Sequence, residues 1–223
     1  HNIGEKGTVM IEIQNLTKVF QEQTVLQNIN ATFDAGLIHG VIGKNGAGKT
    51  VLLRLLCGLM HPSKGQVIVD GKQLGKDVDF APDAGIIIET PCFLPYLSGF
   101  QNLKELASIR NIISKEEIAE AMEQVKLDPS SRKHVGKYSL GMRQRLGIAQ
   151  AIMERPRYLI LDEPMNGLDT QGMEDVRELL QKQKETGVTV ILASHSMEDI
   201  RLLCDTVHRI QDASLIPCTT EFS

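Results

Sequence analysis

Gly43-Lys44-Asn45-Gly46-Ala47-Gly48-Lys49-Thr50 follows the pattern G-x-x-x-x-G-K-[ST] at every fixed position. Such a stretch holds phosphate when a strand precedes it and a helix follows it. Its glycines let the backbone from Gly43 through Asn45, Gly46, Ala47 and Gly48 curl so that successive N–H groups point at phosphate oxygens. The following helix adds the positive end of its dipole. Lys49 is then placed to reach the β- and γ-phosphates of ATP, and the Thr50 hydroxyl to ligate Mg²⁺. A second run, Tyr158-Leu159-Ile160-Leu161-Asp162-Glu163, is apolar and ends in two carboxylates. At the C-terminal edge of a buried strand, Asp162 suits a magnesium contact made through water. Adjacent strand residues face opposite sides, so Glu163 is assigned a different task, polarising the attacking water as general base.

A phosphate loop and an acid-ended strand occur in many ATPases and GTPases. The segment Tyr138-Ser139-Leu140-Gly141-Met142-Arg143-Gln144-Arg145 narrows the field. It resembles the signature of ATP-binding-cassette (ABC) proteins, written L-S-G-G-Q and followed by Q-R. Ser139 and Gly141 match, while Tyr138, Leu140 and Met142 depart from it. Met165-Asn166-Gly167-Leu168-Asp169 looks like the D-loop of that family, and Ala193-Ser194-His195 like its switch-histidine motif. The resemblance runs over essentially the whole chain from Met10. It implies that Ser139, Gly141 and Met142 act in trans, closing over ATP bound to a second subunit in a head-to-tail dimer. It also implies that His195 contacts the γ-phosphate and organises the attacking water with Glu163. Phe20 matches the aromatic that stacks on adenine, with ordinary core packing as its other reading. Asn166, Gly167, Leu168 and Asp169 carry over as D-loop residues.

One departure is chemical. Where the family carries a glutamine after the phosphate loop, this chain has Glu89, in Ile86-Ile87-Ile88-Glu89-Thr90-Pro91. An ionised glutamate accepts hydrogen bonds but donates none. A carboxylate there binds Mg²⁺ more strongly than an amide, which makes Glu89 a third candidate ligand beside Thr50 and Asp162. Glu89, the run Phe93 to Leu103 and the Y-S-L-G-M-R-Q-R-L wording together look like one subgroup. It is similar to the ATPases that protect Gram-positive bacteria from bacitracin and lantibiotics.

These groups need particular elements to hold them. Met10 to Phe20 alternates as a half-buried strand, with short β-type runs around Val25 and from Ile29 to Phe33. Leu37–Ile42 is a compact strand before the phosphate loop, and Val51–Leu59 has helical character. Val67–Val69 and Gly85–Ile88 read as strands. Two polar helices follow from Phe100 to about Val125, the second opened by the capping box Ser114-Lys115-Glu116-Glu117. A further helix is expected from Leu140 to Glu154. Strand and helix then alternate: Tyr158–Leu161, Thr170–Glu185, Val188–Ala193, a helix from Ser196, and Val207–Ile210. The expected fold is α/β, a mostly parallel core sheet with an N-terminal antiparallel β layer and an inserted helical subdomain. Residues 1–9 read as a tag remnant or flexible extension. Residues 10–223 read as one ABC ATPase domain, with 10–90 and 155–223 forming the core and about 91–154 the helical insertion.

Composition sets limits on the function. With 24 basic and 28 acidic residues, a net charge of −4 points away from a nucleic-acid partner. No stretch approaches the length of a bilayer span, so a transport role requires a separate transmembrane permease subunit. The expected location is cytoplasmic, on the inner face of the membrane. The four cysteines, Cys57, Cys92, Cys204 and Cys218, form no C-x-x-C pair and read as reduced packing thiols. The alternative function is a soluble ABC ATPase acting on DNA or ribosomes. Such proteins carry two cassettes, long coiled-coil insertions or basic extensions, none of which this sequence displays.

Overall fold

The computed structural model describes residues 9–89 and 92–218. Outside the described residues lie most of the N-terminal extension, the Thr90-Pro91 step and the end of the polar tail. The first half of the chain builds β1 (Val9–Phe20), β2 (Gln23–Asp34), β3 (Ile38–Ile42), α1 (Lys49–Cys57), β4 (Lys64–Val69), β5 (Lys72–Gln73) and β6 (Ala84–Ile87). Three helices follow, α2 (Gly99–Arg110), α3 (Lys115–Gln124) and α4 (Leu140–Ile152). The chain then runs through β7 (Tyr158–Asp162), α5 (Thr170–Glu185), β8 (Thr189–Ala193), α6 (Met197–Leu203), β9 (Thr206–Gln211) and β10 (Ser214–Pro217).

The strands form two sheets. An antiparallel one has the order β2-β1-β4-β5, and a six-stranded one the order β10-β9-β3-β8-β7-β6. In the second, every pairing is parallel except that of β10 with β9. β3, β7 and β8 are buried at every residue, as two-sided parallel strands must be. Side chains of β7 alternate between two cores. Tyr158 and Ile160 pack with Leu52, Leu55 and Leu56 of α1 and with the antiparallel sheet. Leu159 and Leu161 join Leu146 of α4 and Val176 and Leu180 of α5 on the other side. This alternation assigns Asp162, two residues after Ile160, to the α1 side.

Some elements differ from expectation for local reasons. β2 is one continuous strand, not two runs. Register slips against β1 put Leu26, Ile29 and Phe33 inward, at spacings of three and four, which breaks the period-2 signal. β5 and β10 are short and partly exposed edge strands with little hydrophobic patterning to announce them. The expected capping box at Ser114 and Glu117 is present, and α2 carries a second at Ser98 and Gln101. The three helices leave the sheet after β6 and return to it at β7, its immediate neighbour.

Candidate nucleotide site

The phosphate loop runs from the end of β3 into α1. Gly48, with φ at +107°, is the left-handed residue that turns the loop into the helix, and a Cβ there would meet Val25 Cγ1 at 2.9 Å. No side chain caps α1 and no acid lies in its first turn, so its leading N–H groups are left to an anion. Lys49 is buried, and its ammonium donates to the Gly43 carbonyl at 2.8 Å, which draws the side chain back across the loop. The Thr50 hydroxyl donates to Asp162 Oδ2 at 2.5 Å, the contact that the alternation of β7 sets up.

A cleft of about 580 Å³ opens beside these groups. Asn45, Gly46, Gly48, Lys49, Thr50, Asp162 and Glu163 line it. Phe20 lines it as well, 40% exposed, with the Lys18 ammonium 4.9 Å from the ring centroid. A second cavity, about 720 Å³, lies on the other side of the loop and takes in Gly43, Ala47 and His195. A hydrogen-bonded pair links a residue lining one to a residue lining the other. Glu163 stands just after β7 with φ at +48°, and its Oε2 accepts from His195 Nδ1 at 2.7 Å and from the His195 backbone N–H at 3.3 Å. The left-handed backbone at a non-glycine residue is strain of the kind kept at functional positions.

The signature occupies a different place. Ser139 caps α4, its hydroxyl accepting from the Met142 N–H at 3.1 Å. Ser139, Gly141 and Met142 do not line the cleft of their own chain. Gly141 rests on the D-loop, where a Cβ would come within 2.9 Å of the Gly167 carbonyl. Tyr138 belongs to the core, and burial pushes its hydroxyl pKa up. Within the D-loop, Asn166 lines the cleft, while Asp169 caps α5 by accepting from the Gly172 N–H at 2.8 Å. Gly167 has φ at +78°, and Leu168 packs on the core beside α5.

Glu89 lines the cleft but is not joined to Thr50 or Asp162. Its carboxylate is held by Arg54 of α1. Sequence reasoning gave no role to Arg54, nor to Gln144, whose amide donates to the Pro164 carbonyl at 2.9 Å and ties α4 to the turn after Glu163. Gln23 and Val25 also line the cleft, and only the hairpin pairing of Phe20 with Gln23 brings them there.

Loop, acid-ended strand, sheet order and helical insertion define a phosphate-loop nucleotide-binding cassette. Comparison with known proteins places it further. The family profile described as ABC transporter matches residues 26–166, and the chain belongs to that family as an ATP-binding subunit, an ABC transporter ATPase. YybJ, an ABC transporter ATP-binding protein of Bacillus subtilis (strain 168), is 47% identical over 196 residues, which is 88% of this chain and 90% of that one. The bacitracin transport ATP-binding protein BcrA of Enterococcus faecalis is 41% identical over 209 residues, 93% of this chain and 68% of its own. The lantibiotic transport ATP-binding protein SrtF of Streptococcus pyogenes is 35% identical over 207 residues, 93% of this chain and 89% of its own. The fold matches the dimeric ATP-binding cassette MJ0796 bound to ADP and Pi with a TM-score of 0.82 at 21% identity, over 92% of this chain and 96% of that one.

Proposed function

We propose that this subunit binds and hydrolyses Mg-ATP at a composite site between two copies, and thereby powers a transmembrane permease that exports peptide antibiotics. The observation that carries the hydrolytic reading is the meeting, beside one phosphate loop, of Lys49, the Thr50–Asp162 pair and the Glu163–His195 pair. A hydroxyl and a carboxylate 2.5 Å apart are hard oxygen donors that suit Mg²⁺ together with nucleotide phosphates. Bound there, the ion supplies charge neutralisation on the β- and γ-phosphate oxygens.

The chain's own groups divide the remaining work. Phe20, at the cleft wall, offers its ring face to adenine. Gly43 to Gly48 and the start of α1 supply backbone N–H groups, and Lys49 a mobile cation for the terminal phosphates. Glu163 takes a proton from the attacking water as its oxygen bonds to the γ-phosphorus and the bond from that phosphorus to the β–γ bridging oxygen breaks, releasing ADP and phosphate. Donation from His195 Nδ1 to Glu163 fixes the imidazole, and Nε2 donates to the γ-phosphate when the ring carries its second proton. Ser139 and the N–H groups at the start of α4 meet the γ-phosphate of the other copy's ATP, with Gly141 and Met142 beside them. No acid lies in the first turn of α4 to oppose that anion.

Among the described residues no helix is long and apolar enough to cross a membrane. In this reading the permease is a separate chain, as the relatives' description as ATP-binding proteins of transporters supports, the subunit works on the cytoplasmic face of the membrane, and the insertion at about 91–154 transmits its motion. Export of peptide antibiotics rests on the names of BcrA and SrtF.

Glu163→Gln tests the composite site. The amide cannot take the water's proton, so hydrolysis should fall about a hundredfold or more while ATP stays bound. Size-exclusion chromatography of the variant with Mg-ATP should then show a dimer that is absent without nucleotide. A variant that binds Mg-ATP and remains monomeric at every concentration would remove the composite site from the mechanism.

A further inference from the structure

The Glu89 carboxylate sits between two partners. β6 and β7 run parallel with Ile87 opposite Leu161, so Glu89 and Glu163 each stand two residues past that pair, at the same edge of the sheet. Asp162 and Glu163 line the cleft from β7, and Glu89 lines it from β6. Among the described residues lining that cleft, Lys49 is the one basic side chain, against three carboxylates. The second cation is Arg54, one helical turn beyond Thr50 and therefore on the same face of α1. Its guanidinium holds Glu89.

Two features make this contact an exchangeable one. The Glu89 side chain is 64% exposed and that of Arg54 33%, and ion pairs so open to water are weak. Glu89 also has φ at +67°, a conformation that costs a non-glycine residue energy. Nothing in the packing buries the carboxylate on Arg54. Removal of Arg54 would leave the carboxylate free to turn toward the Thr50–Asp162 end of the cleft.

We propose that Arg54 is a positioning residue that holds Glu89 off the magnesium edge of the cleft, so that the pair sets how strongly the site distinguishes Mg-ATP from free ATP. The inference rests on the nucleotide site described above. With Arg54 in place, the Glu89 charge is neutralised beside the cleft, and only Asp162 and Glu163 face the phosphates unpaired by a lysine or arginine. Without Arg54, the freed carboxylate repels Mg-free ATP, whose phosphates carry their full charge. Toward Mg-ATP the same carboxylate becomes an additional oxygen donor. The two effects act in opposite directions on the two ligand forms, which a general loss of fold cannot imitate.

Equilibrium titration calorimetry separates them. The parent chain, Arg54→Gln, Arg54→Lys, Glu89→Gln and the double variant Arg54→Gln/Glu89→Gln are titrated with ATP, once with Mg²⁺ and once with EDTA. In Arg54→Gln, the ratio of the Kd for free ATP to that for Mg-ATP should rise about fivefold, the scale of one exposed ion pair. Arg54→Lys and the double variant should keep the parent's ratio, because the first keeps a cation beside the carboxylate and the second removes both charges; Glu89→Gln, which frees the Arg54 cation, should not raise it. An unchanged ratio in Arg54→Gln, or a raised ratio that Glu89→Gln fails to restore, would overturn the proposal while leaving the nucleotide site intact. A parent chain that binds ATP under neither condition would overturn both.

Discussion

Glu163 and His195 were each legible as single residues, and the structure adds the bond between them. That bond makes a prediction separable from nucleotide affinity. His195→Ala removes both the ring contact to Glu163 and the nitrogen that the proposed function assigns to the γ-phosphate, so ATP turnover should fall about a hundredfold. The Kd for Mg-ATP should change little, since Lys49 and the loop N–H groups are untouched; radiolabelled ATP hydrolysis beside calorimetry checks both. A large loss of affinity with turnover of bound ATP preserved would assign His195 to binding instead. Other residues were readable only in part. Thr50 and Asp162 belong to sequence patterns, while the packing of α1 on the Ile160 side of β7 is what makes them face each other. Arg54 belongs to no pattern, because an ion pair between α1 and the end of β6 depends on how two distant segments are stacked. Tyr138 shows the converse: it lies inside a functional motif, yet its side chain is core.

At the level of elements, the seam between α4 and β6 is the place where the insertion is pressed onto the sheet. Gly85 sits there, and a Cβ added to it would lie 2.0 Å from the Ala151 carbonyl and 2.6 Å from Leu159 Cδ2. Backbone cannot yield as a flexible side chain can. Gly85→Ala should therefore cost about 1–3 kcal/mol and lower the Tm by several degrees, measured by thermal melting. An unchanged Tm would mean that α4 rides loosely on the sheet. The elements that could be read in advance share a physical basis. The fully buried strands β3, β7 and β8 announce themselves as short apolar runs, and α3 by its capping box and amphipathic spacing. Edges and bulges could not be read, because β5, β10 and the slipped register of β2 are set by pairing partners and not by their own side-chain pattern.

Across the whole molecule, the two sheets meet at a small aromatic joint. Phe33 of β2 takes His39 of β3 and His208 of β9 edge-on, with ring centroids 5.2 Å and 5.3 Å away. His39 is anchored by Thr206 Oγ1 at 2.7 Å and the Asp34 carbonyl at 2.8 Å, whereas His208 Nδ1 is buried without a partner among the described residues. Burial pushes the pKa of both imidazoles below the ordinary value. The Asp34 carbonyl and the charges of Asp34 and Asp205 pull His39 partly back, and the charge of His39 adds to the lowering at His208. In the unfolded chain both titrate near pH ~6.5, so below that the unfolded state binds more protons than the folded one. Their contribution to stability is complete above that pH and is lost as pH falls through it toward the folded values. The Tm should drop between pH 7 and pH 5. His208→Phe, which keeps an aromatic edge on Phe33 and removes the unpaired nitrogen, should flatten part of that slope in melts followed by circular dichroism; an unaltered slope would place the acid sensitivity elsewhere. The insertion has a consequence of another kind. Because it departs from β6 and returns on β7, adjacent strands in register, it hangs from the sheet like a drawer on two neighbouring rails. A segment from a relative can replace it without cutting a strand, provided that Gly85 and the Gln144 tie to Pro164 are matched. Such chimeras would exchange the outer surface of the insertion together with Ser139 and the start of α4, while keeping the parent's phosphate loop, Asp162, Glu163 and His195.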